Sequence, residues 1–225
     1  MDRLIRYTED HLEQLRGKYI CAANVHTTVM AYENKTYQQV YDNAALIIPD
    51  GGPLSSIGRR RGYKDMRRTP GPDYMEAMLK RGGSHFFYGS TFSTLEKMRE
   101  RIESQYPEAR IAGMISPPFR KLTADEDKEI IQQINEAGPD YIWVGLGAPK
   151  QEMWMYRHKD RVNGLMVGVG AAFDYMAGNI KRAPMWMQSM NLEWVFRIMQ
   201  EPRRLTGRYL TTNTKFFWNV VVMGR

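Results

Sequence analysis

Leu165-Met-Val-Gly-Val-Gly-Ala-Ala-Phe-Asp-Tyr-Met-Ala-Gly-Asn-Ile-Lys-Arg-Ala-Pro184 decides how this chain folds. It begins as an apolar run of strand length, residues 165–169, that reads as a buried strand. It then turns through small residues into an acid, Asp174, and a basic pair, Lys181 and Arg182. Small residues let backbone approach a ligand closely, and the turn after a parallel strand is where open α/β sheets hold ligands. An acid at such a turn can hold ribose hydroxyls, and the basic pair can face phosphates. A tight strand-to-helix connection with surface charges is the other reading of the same residues.

Working outward, runs of the same kind recur at 19–23, 45–48, 85–88, 110–113 and 141–145. Helical periodicity lies between them at 73–81, 91–106, 123–137 and 150–158, with Pro107, Pro139 and Gly164 punctuating the joins. This alternation predicts an α/β fold: a mainly parallel, doubly wound sheet with helices on both faces. After Pro184 the strands stop. Residues 185–200 and 202–223 read as helices rich in tryptophan, phenylalanine and arginine. The expected division is a catalytic body, 1–183, and a C-terminal helical appendage, 184–225.

The chain has 225 residues and a formal charge of +7, which points to an anionic partner: nucleic acid, a phosphorylated substrate or a membrane face. The single cysteine, Cys21, excludes an internal disulfide framework and reads as a core thiol in a reducing compartment. No apolar run is long enough to cross a bilayer, and the charged first residues lack a signal core. The expected location is cytoplasmic, soluble or bound to a membrane surface.

Candidate chemistry falls just after strand ends. Asp50, in Pro49-Asp-Gly-Gly-Pro53, is placed to take a proton from a hydroxyl, or simply to form a turn. Asn24 can orient a sugar hydroxyl or cap the following helix. His26 beside it reads as a surface or packing histidine rather than a substrate contact. Gly145-Leu-Gly-Ala-Pro-Lys-Gln-Glu152 joins a strand to a helix whose first turn is an anion site, with Lys150 adding charge and Gln151 suited to hydroxyl recognition. Neither Gly145 with Gly147 nor Gly168 with Gly170 completes a dinucleotide fingerprint. The histidines show no metal-ligand spacing, and Asp125-Glu-Asp127 after Thr123 reads as an acidic helix start rather than a cation site. Without a metal, charge building on a diphosphate must meet arginine, lysine and helix N-termini. The tail supplies Arg197, Arg203, Arg204, Arg208, Lys215 and Arg225. Its aromatics, with Met185, Met187 and Met190, suit a membrane surface or a helix packed on the body.

Read in order, these segments resemble the WecG/TagA/CpsF family of bacterial glycosyltransferases. The resemblance is carried by Ala23-Asn24, Pro49-Asp-Gly51, Gly71-Pro-Asp73, Pro117-Pro-Phe119, Gly145 to Glu152, Gly168 to Asp174 with Ala177-Gly178, Lys181 to Pro184, Leu192 to Arg197, Glu201 to Leu205, and Arg208-Tyr209. It spans nearly the whole chain. It implies a Rossmann-like body and inverting, metal-independent transfer of an N-acetylmannosamine-type sugar from a UDP-sugar. The acceptor it implies is a polyprenyl-diphosphate-linked sugar on the cytoplasmic face of the cell membrane. The products feed teichoic acid, capsule and exopolysaccharide. No cofactor and no nucleic-acid partner are expected, and pairing of subunits stays open. Carried over residue by residue, Asp50 matches the general base, Asn24 a substrate-orienting residue, Gln151 the donor-sugar contact and Asp174 the acid near the ribose. Phe119 stands where an aromatic can stack on uracil. Arg197, Arg203, Arg204 and Arg208 match the arginines thought to close over the diphosphate, and Lys150 and Arg182 are expected to assist them. Ala22 stands where many members have threonine, so a hydroxyl is missing there. The chain also starts close to its first strand, so either an edge strand is absent or the chain is trimmed. Rival readings are a nucleotide-cofactor oxidoreductase, resting on the glycine pairs, and a non-catalytic RNA or membrane binder, resting on charge alone.

Overall fold

The computed structural model describes residues 1–222; Met223, the expected end of the last helix, and Arg225 lie outside the described residues. All six expected strands form: β1 Tyr19–Ala23, β2 Leu46–Pro49, β3 Gly83–Gly89, β4 Ala109–Ile115, β5 Tyr141–Gly145 and β6 Leu165–Gly168. They make one sheet in the order β2-β1-β6-β5-β3-β4. Every pairing is parallel, with Cys21 in register with Ile47 on one side and Gly168 on the other. Strands covered on both faces can be apolar at every position, which is why they read as unbroken runs.

Alternation along the strands builds two cores. On one face Ile20, Ala22, Phe87, Trp143 and Val167 pack with Tyr74, Met75, Leu95, Met98 and Phe173 from helices Gly71–Arg81, Phe92–Gln105 and Ala172–Met176. On the other, Tyr19, Cys21, Tyr88, Ile142 and Met166 pack with Val40, Ile131, Ile134, Trp154 and Met155 from helices Lys35–Asp42, Ala124–Ala137 and Lys150–His158. Each fully buried apolar side chain contributes about 1.5–3 kcal/mol. Cys21 is a buried core thiol, and burial pushes its pKa up. His85, fully buried, accepts from Trp143 Nε1 at 3.1 Å and donates to the Gly82 carbonyl at 3.0 Å. Burial holds its pKa down at about 4, so the ring is neutral.

The same topology places the site. After β1 the chain leaves toward the second core, through Val25–Glu33 and Lys35–Asp42. After its neighbours β2 and β6 it reaches the first, through Gly71–Arg81 and Ala172–Met176, while Leu54 of the intervening Gly52–Arg60 packs against the second. Connections that part to opposite faces open a crevice at the carboxyl ends of these strands.

The sequence pattern missed Asp2–Asp10, Val25–Glu33, Lys35–Asp42 and Gly52–Arg60. Short helices with their own caps, such as Asn24 and Asn34, leave too few turns for a period to show. The Asp125-Glu-Asp127 segment is a helix start: Thr123 and Glu126 form a reciprocal capping box, and Asp127 pairs with His158 at 2.8 Å. The expected helix over 185–200 is two, Met185–Ser189 and Glu193–Gln200. Asn191 separates them at φ +61°, a conformation asparagine tolerates better than most side chains. Helix Pro202–Phe217 and a π-helical turn, Trp218–Val222, complete the tail.

Candidate active site

A cavity of about 660 Å³ lies over the ends of β2, β1 and β6, and the tail helices form its far wall. Asp50 leaves β2 at its base. Its backbone N–H donates to the Ala23 carbonyl at 2.8 Å, which ties the β2 loop to the end of β1. Its Oδ1 accepts from the Gly71 N–H at 3.1 Å, at the first residue of helix Gly71–Arg81. Its Oδ2 accepts no hydrogen bond from the described residues. Burial pushes the Asp50 pKa up, opposed by the Arg68 guanidinium and the Gly71 N–H. The group is therefore a stronger base than an exposed aspartate.

Asn24 is the cap: its Oδ1 accepts from the Thr27 N–H at 3.2 Å, and its own N–H donates to Thr27 Oγ1 at 2.9 Å. The capping reading therefore holds. The carboxamide nitrogen is free of partners among the described residues, and Asn24 lines the cavity beside Asp50.

Gln151 is buried, and its amide oxygen accepts from the Gly147 N–H at 3.1 Å and the Gly170 N–H at 3.0 Å. Both glycines have positive φ, +74° and +56°. They turn two loops onto one carboxamide, and the missing Cβ permits that backbone. The Gln151 nitrogen donates to Glu152 Oε1 at 2.8 Å. Glu152 is fully buried behind the cavity, and burial raises its pKa.

The far wall is cationic. Arg60, Arg68, Arg197, Arg204 and Arg208 line the cavity with Trp194 and Tyr209. Arg68 donates through Nε to the Asp50 carbonyl at 2.9 Å and pairs with Glu193 of the tail. Arg197 and Arg182 stack on Tyr175, their guanidinium carbons 5.4 and 5.6 Å from the ring centre. Arg208 Nε and His26 Nδ1 are buried without hydrogen-bond partners among the described residues. Burial and the Arg208 charge lower the His26 pKa, so His26, expected at a surface or in packing, is a neutral wall residue of the cavity. The Gly51-Gly52 pair has a packing reason, because a Cβ on Gly52 would fall 1.6 Å from Asn191 Oδ1.

The structure thus brings Asp50, Asn24, Gly147, Gln151, Arg197, Arg204 and Arg208 to one cavity. It leaves Phe119, Gly145, Lys150, Asp174, Arg182 and Arg203 off its lining. Phe119 is 84% exposed and follows β4 at the far edge of the sheet. Asp174 accepts from the Asn179 amide at 3.2 Å, and Arg182 pairs with Asp73. A Cβ on Gly145 would meet the Phe173 ring, so this glycine serves packing. Met185 and Met190 are exposed as expected, whereas Met187 is buried. Sequence reasoning gave no role to Arg60, Arg68, Tyr175, Asn191 or Glu193. Arg68 and Glu193 lie 125 positions apart, and neither sits in a local pattern that signals the pairing.

The glycosyl transferase WecG/TagA/CpsF family matches this chain over residues 1–225. The chain belongs to that family. Among its relatives is an N-acetylglucosaminyldiphosphoundecaprenol N-acetyl-beta-D-mannosaminyltransferase of Bacillus spizizenii, 30% identical over 199 residues, covering 86% of this chain and 76% of the relative. The like-named Bacillus subtilis protein is 30% identical over 206 residues, covering 89% and 78%. One from Staphylococcus aureus strain MW2 is 29% identical over 195 residues, covering 83% and 74%. As a WecG/TagA/CpsF member the chain is a glycosyltransferase, and the crevice at the strand ends is where such a fold works. Among the described residues no helix is long and apolar enough to cross a membrane.

Proposed function

We propose that this glycosyltransferase moves an N-acetylmannosamine-type sugar from a UDP-sugar to a polyprenyl-diphosphate-linked N-acetylglucosamine, with inversion, in cell-surface polysaccharide synthesis. The observation that carries the reading is the Asp50 carboxylate. One oxygen is held by the Gly71 N–H, the other accepts no hydrogen bond from the described residues, and burial raises its basicity. Asp50 takes the proton of an acceptor hydroxyl. The freed oxygen bonds to the anomeric carbon as the bond to UDP breaks on the opposite side, and UDP leaves with the electron pair. Positive charge gathers on the sugar ring in such a transition state, and the nearby carboxylate stabilises it. Arginines 60, 197, 204 and 208 meet the diphosphate charge, so the reading calls for no metal. Asn24 offers its free amide to a sugar hydroxyl, and Gln151 holds the Gly147 and Gly170 loops at the donor side.

The body, residues 1–183, carries Asp50, Asn24 and Gln151, and the appendage from 184 adds arginines, closes the site and meets the cytoplasmic leaflet. Support for that placement is the exposure of Met185, Trp186, Met190, Met199, Leu210 and Trp218 on the tail helices. The reading is tested by offering a panel of UDP-sugars with a short-chain prenyl-diphosphate N-acetylglucosamine acceptor in EDTA, detecting UDP release and product mass. Acceptor-dependent transfer from UDP-N-acetylmannosamine is expected. Transfer that stops in EDTA overturns the metal-free reading, and no transfer from any UDP-sugar overturns the donor assignment.

A further inference from the structure

Beside the main cavity lies a second, of about 280 Å³, walled by Val29, Leu54, Ile57, Phe216 and Val220. Ile57 and Phe216 belong to both walls, so the two cavities adjoin. Three helices run from one to the other. On Val25–Glu33, residues 25 to 27 face the main cavity and Thr28, Val29 and Tyr32 face the groove. On Gly52–Arg60, Ser56 and Arg60 face the main cavity, while Leu54 and Ile57 turn to the groove. On the tail, Arg204 and Arg208 face the main cavity, and beyond Phe216 the chain turns Asn219 and Val220 to the groove. The chemistry therefore changes in order along one path: a carboxylate, then arginines, then apolar side chains.

We infer that this groove seats the first isoprene units of the acceptor's prenyl chain, an inference that rests on the lipid-linked acceptor proposed above. A prenyl-diphosphate-linked sugar has the same order of parts: a hydroxyl to be deprotonated, a diphosphate, then hydrocarbon. With the hydroxyl at Asp50 and the diphosphate at Arg204 and Arg208, the hydrocarbon has to leave the polar cavity, and the groove adjoins that cavity at Ile57 and Phe216. A bilayer acyl chain fits the apolar walls equally well but gives no reason for the groove to lie against an arginine-lined cavity. Lys215 ties the tail to Glu33 at 2.7 Å, which holds the groove's walls together.

The test has two arms. In the first, the full chain is photolabelled with farnesyl diphosphate bearing a diazirine on its terminal isoprene unit, and the labelled peptides are mapped. Labels in 28–32, 54–61 or 216–220 that excess farnesyl diphosphate displaces are expected. Labels elsewhere only, or labels displaced by phosphatidylcholine vesicles and not by farnesyl diphosphate, overturn the inference. In the second, Thr28→Trp and Val220→Asp narrow or polarise the groove outside the main cavity. Each is expected to raise KM for a farnesyl-linked acceptor by about tenfold or more, and to leave a methyl-capped diphosphate acceptor within about twofold. Equal loss on both acceptors, or no loss on either, contradicts the assignment. Displaceable groove labelling without sugar transfer upholds the groove and overturns the proposed transfer from a UDP-sugar; transfer without groove labelling does the reverse.

Discussion

At the scale of single residues, the two oxygens of Asp50 have different surroundings, and that difference sets what its substitution does. Asp50→Asn keeps the size and the acceptor for the Gly71 N–H but removes the base. Turnover is expected to fall about 100- to 10,000-fold, in the range general-base catalysis supplies, with UDP affinity retained. The raised pKa gives two further signs. Transfer needs the ionised carboxylate, so kcat/KM rises with pH through a limb lying above the 3.8 of an ordinary aspartate. Stability runs the other way. A carboxyl whose folded pKa exceeds its unfolded value costs stability above the folded pKa, and the cost vanishes below the unfolded one. Asp50→Asn is therefore expected to raise Tm at neutral pH and to leave it unchanged near pH 3, as thermal unfolding at both pH values checks. His85 follows the opposite rule. Its folded pKa, about 4, lies below the unfolded 6.5, so the unfolded state gains a proton first as pH falls. Its share of stability is complete above 6.5 and lost progressively toward 4, about 3 kcal/mol in all. An NMR titration of the ring should show it neutral down to about that pH.

At the scale of elements, the loops after β5 and β6 are held by one carboxamide. Gln151→Leu leaves the Gly147 and Gly170 N–H groups and Glu152 without their partner, at a cost on the order of 2 kcal/mol or more. Denaturant unfolding measures this, and a cost below a few tenths of a kcal/mol would mean that the loops stand without Gln151. Gly52→Ala puts a methyl where the Asn191 side chain packs, so the tail has to shift while the sheet stays intact. Faster proteolysis after Pro184 with an unchanged far-ultraviolet spectrum is the expected outcome. The strands were legible because burial on both faces leaves apolar runs of strand length, and 19–23 and 141–145 match β1 and β5 residue for residue. The first helices were not, since Val25–Glu33 and Lys35–Asp42 are separated only by the Asn34 cap. The glycines of 145–147 and 168–170 were visible as turn residues, but their common partner was not, because Gln151 meets Gly170 across 19 positions of chain.

At the scale of the whole molecule, a parallel sheet supplies Asp50 and Asn24 from its strand ends and the tail supplies most of the cations that face them. The motifs announced the strand-end residues, since Pro49-Asp-Gly51 and Ala23-Asn24 stand at turns whose place the topology dictates. They did not announce Arg68, which the Asp50 carbonyl and Glu193 of the tail hold at the site. Asp174, in helix Ala172–Met176, and Phe119, in the loop after β4, also follow strand ends, yet one bonds to Asn179 and the other faces solvent off the cavity's lining. Turn chemistry alone therefore does not separate a ligand contact from a connection. The net charge of +7 and the exposed tail apolars predict binding to anionic vesicles that weakens with salt. Replacing Trp186 and Met190 together by alanine should weaken co-sedimentation with such vesicles about tenfold, with transfer to a water-soluble acceptor unaffected.

The central claim, that Asp50 is the base for sugar transfer from UDP, is tested most directly by single-turnover transfer with wild type and Asp50→Asn at matched UDP occupancy. The account predicts a variant that folds, binds UDP as wild type does and transfers at least about 100-fold more slowly. A folded Asp50→Asn variant with full turnover would contradict it.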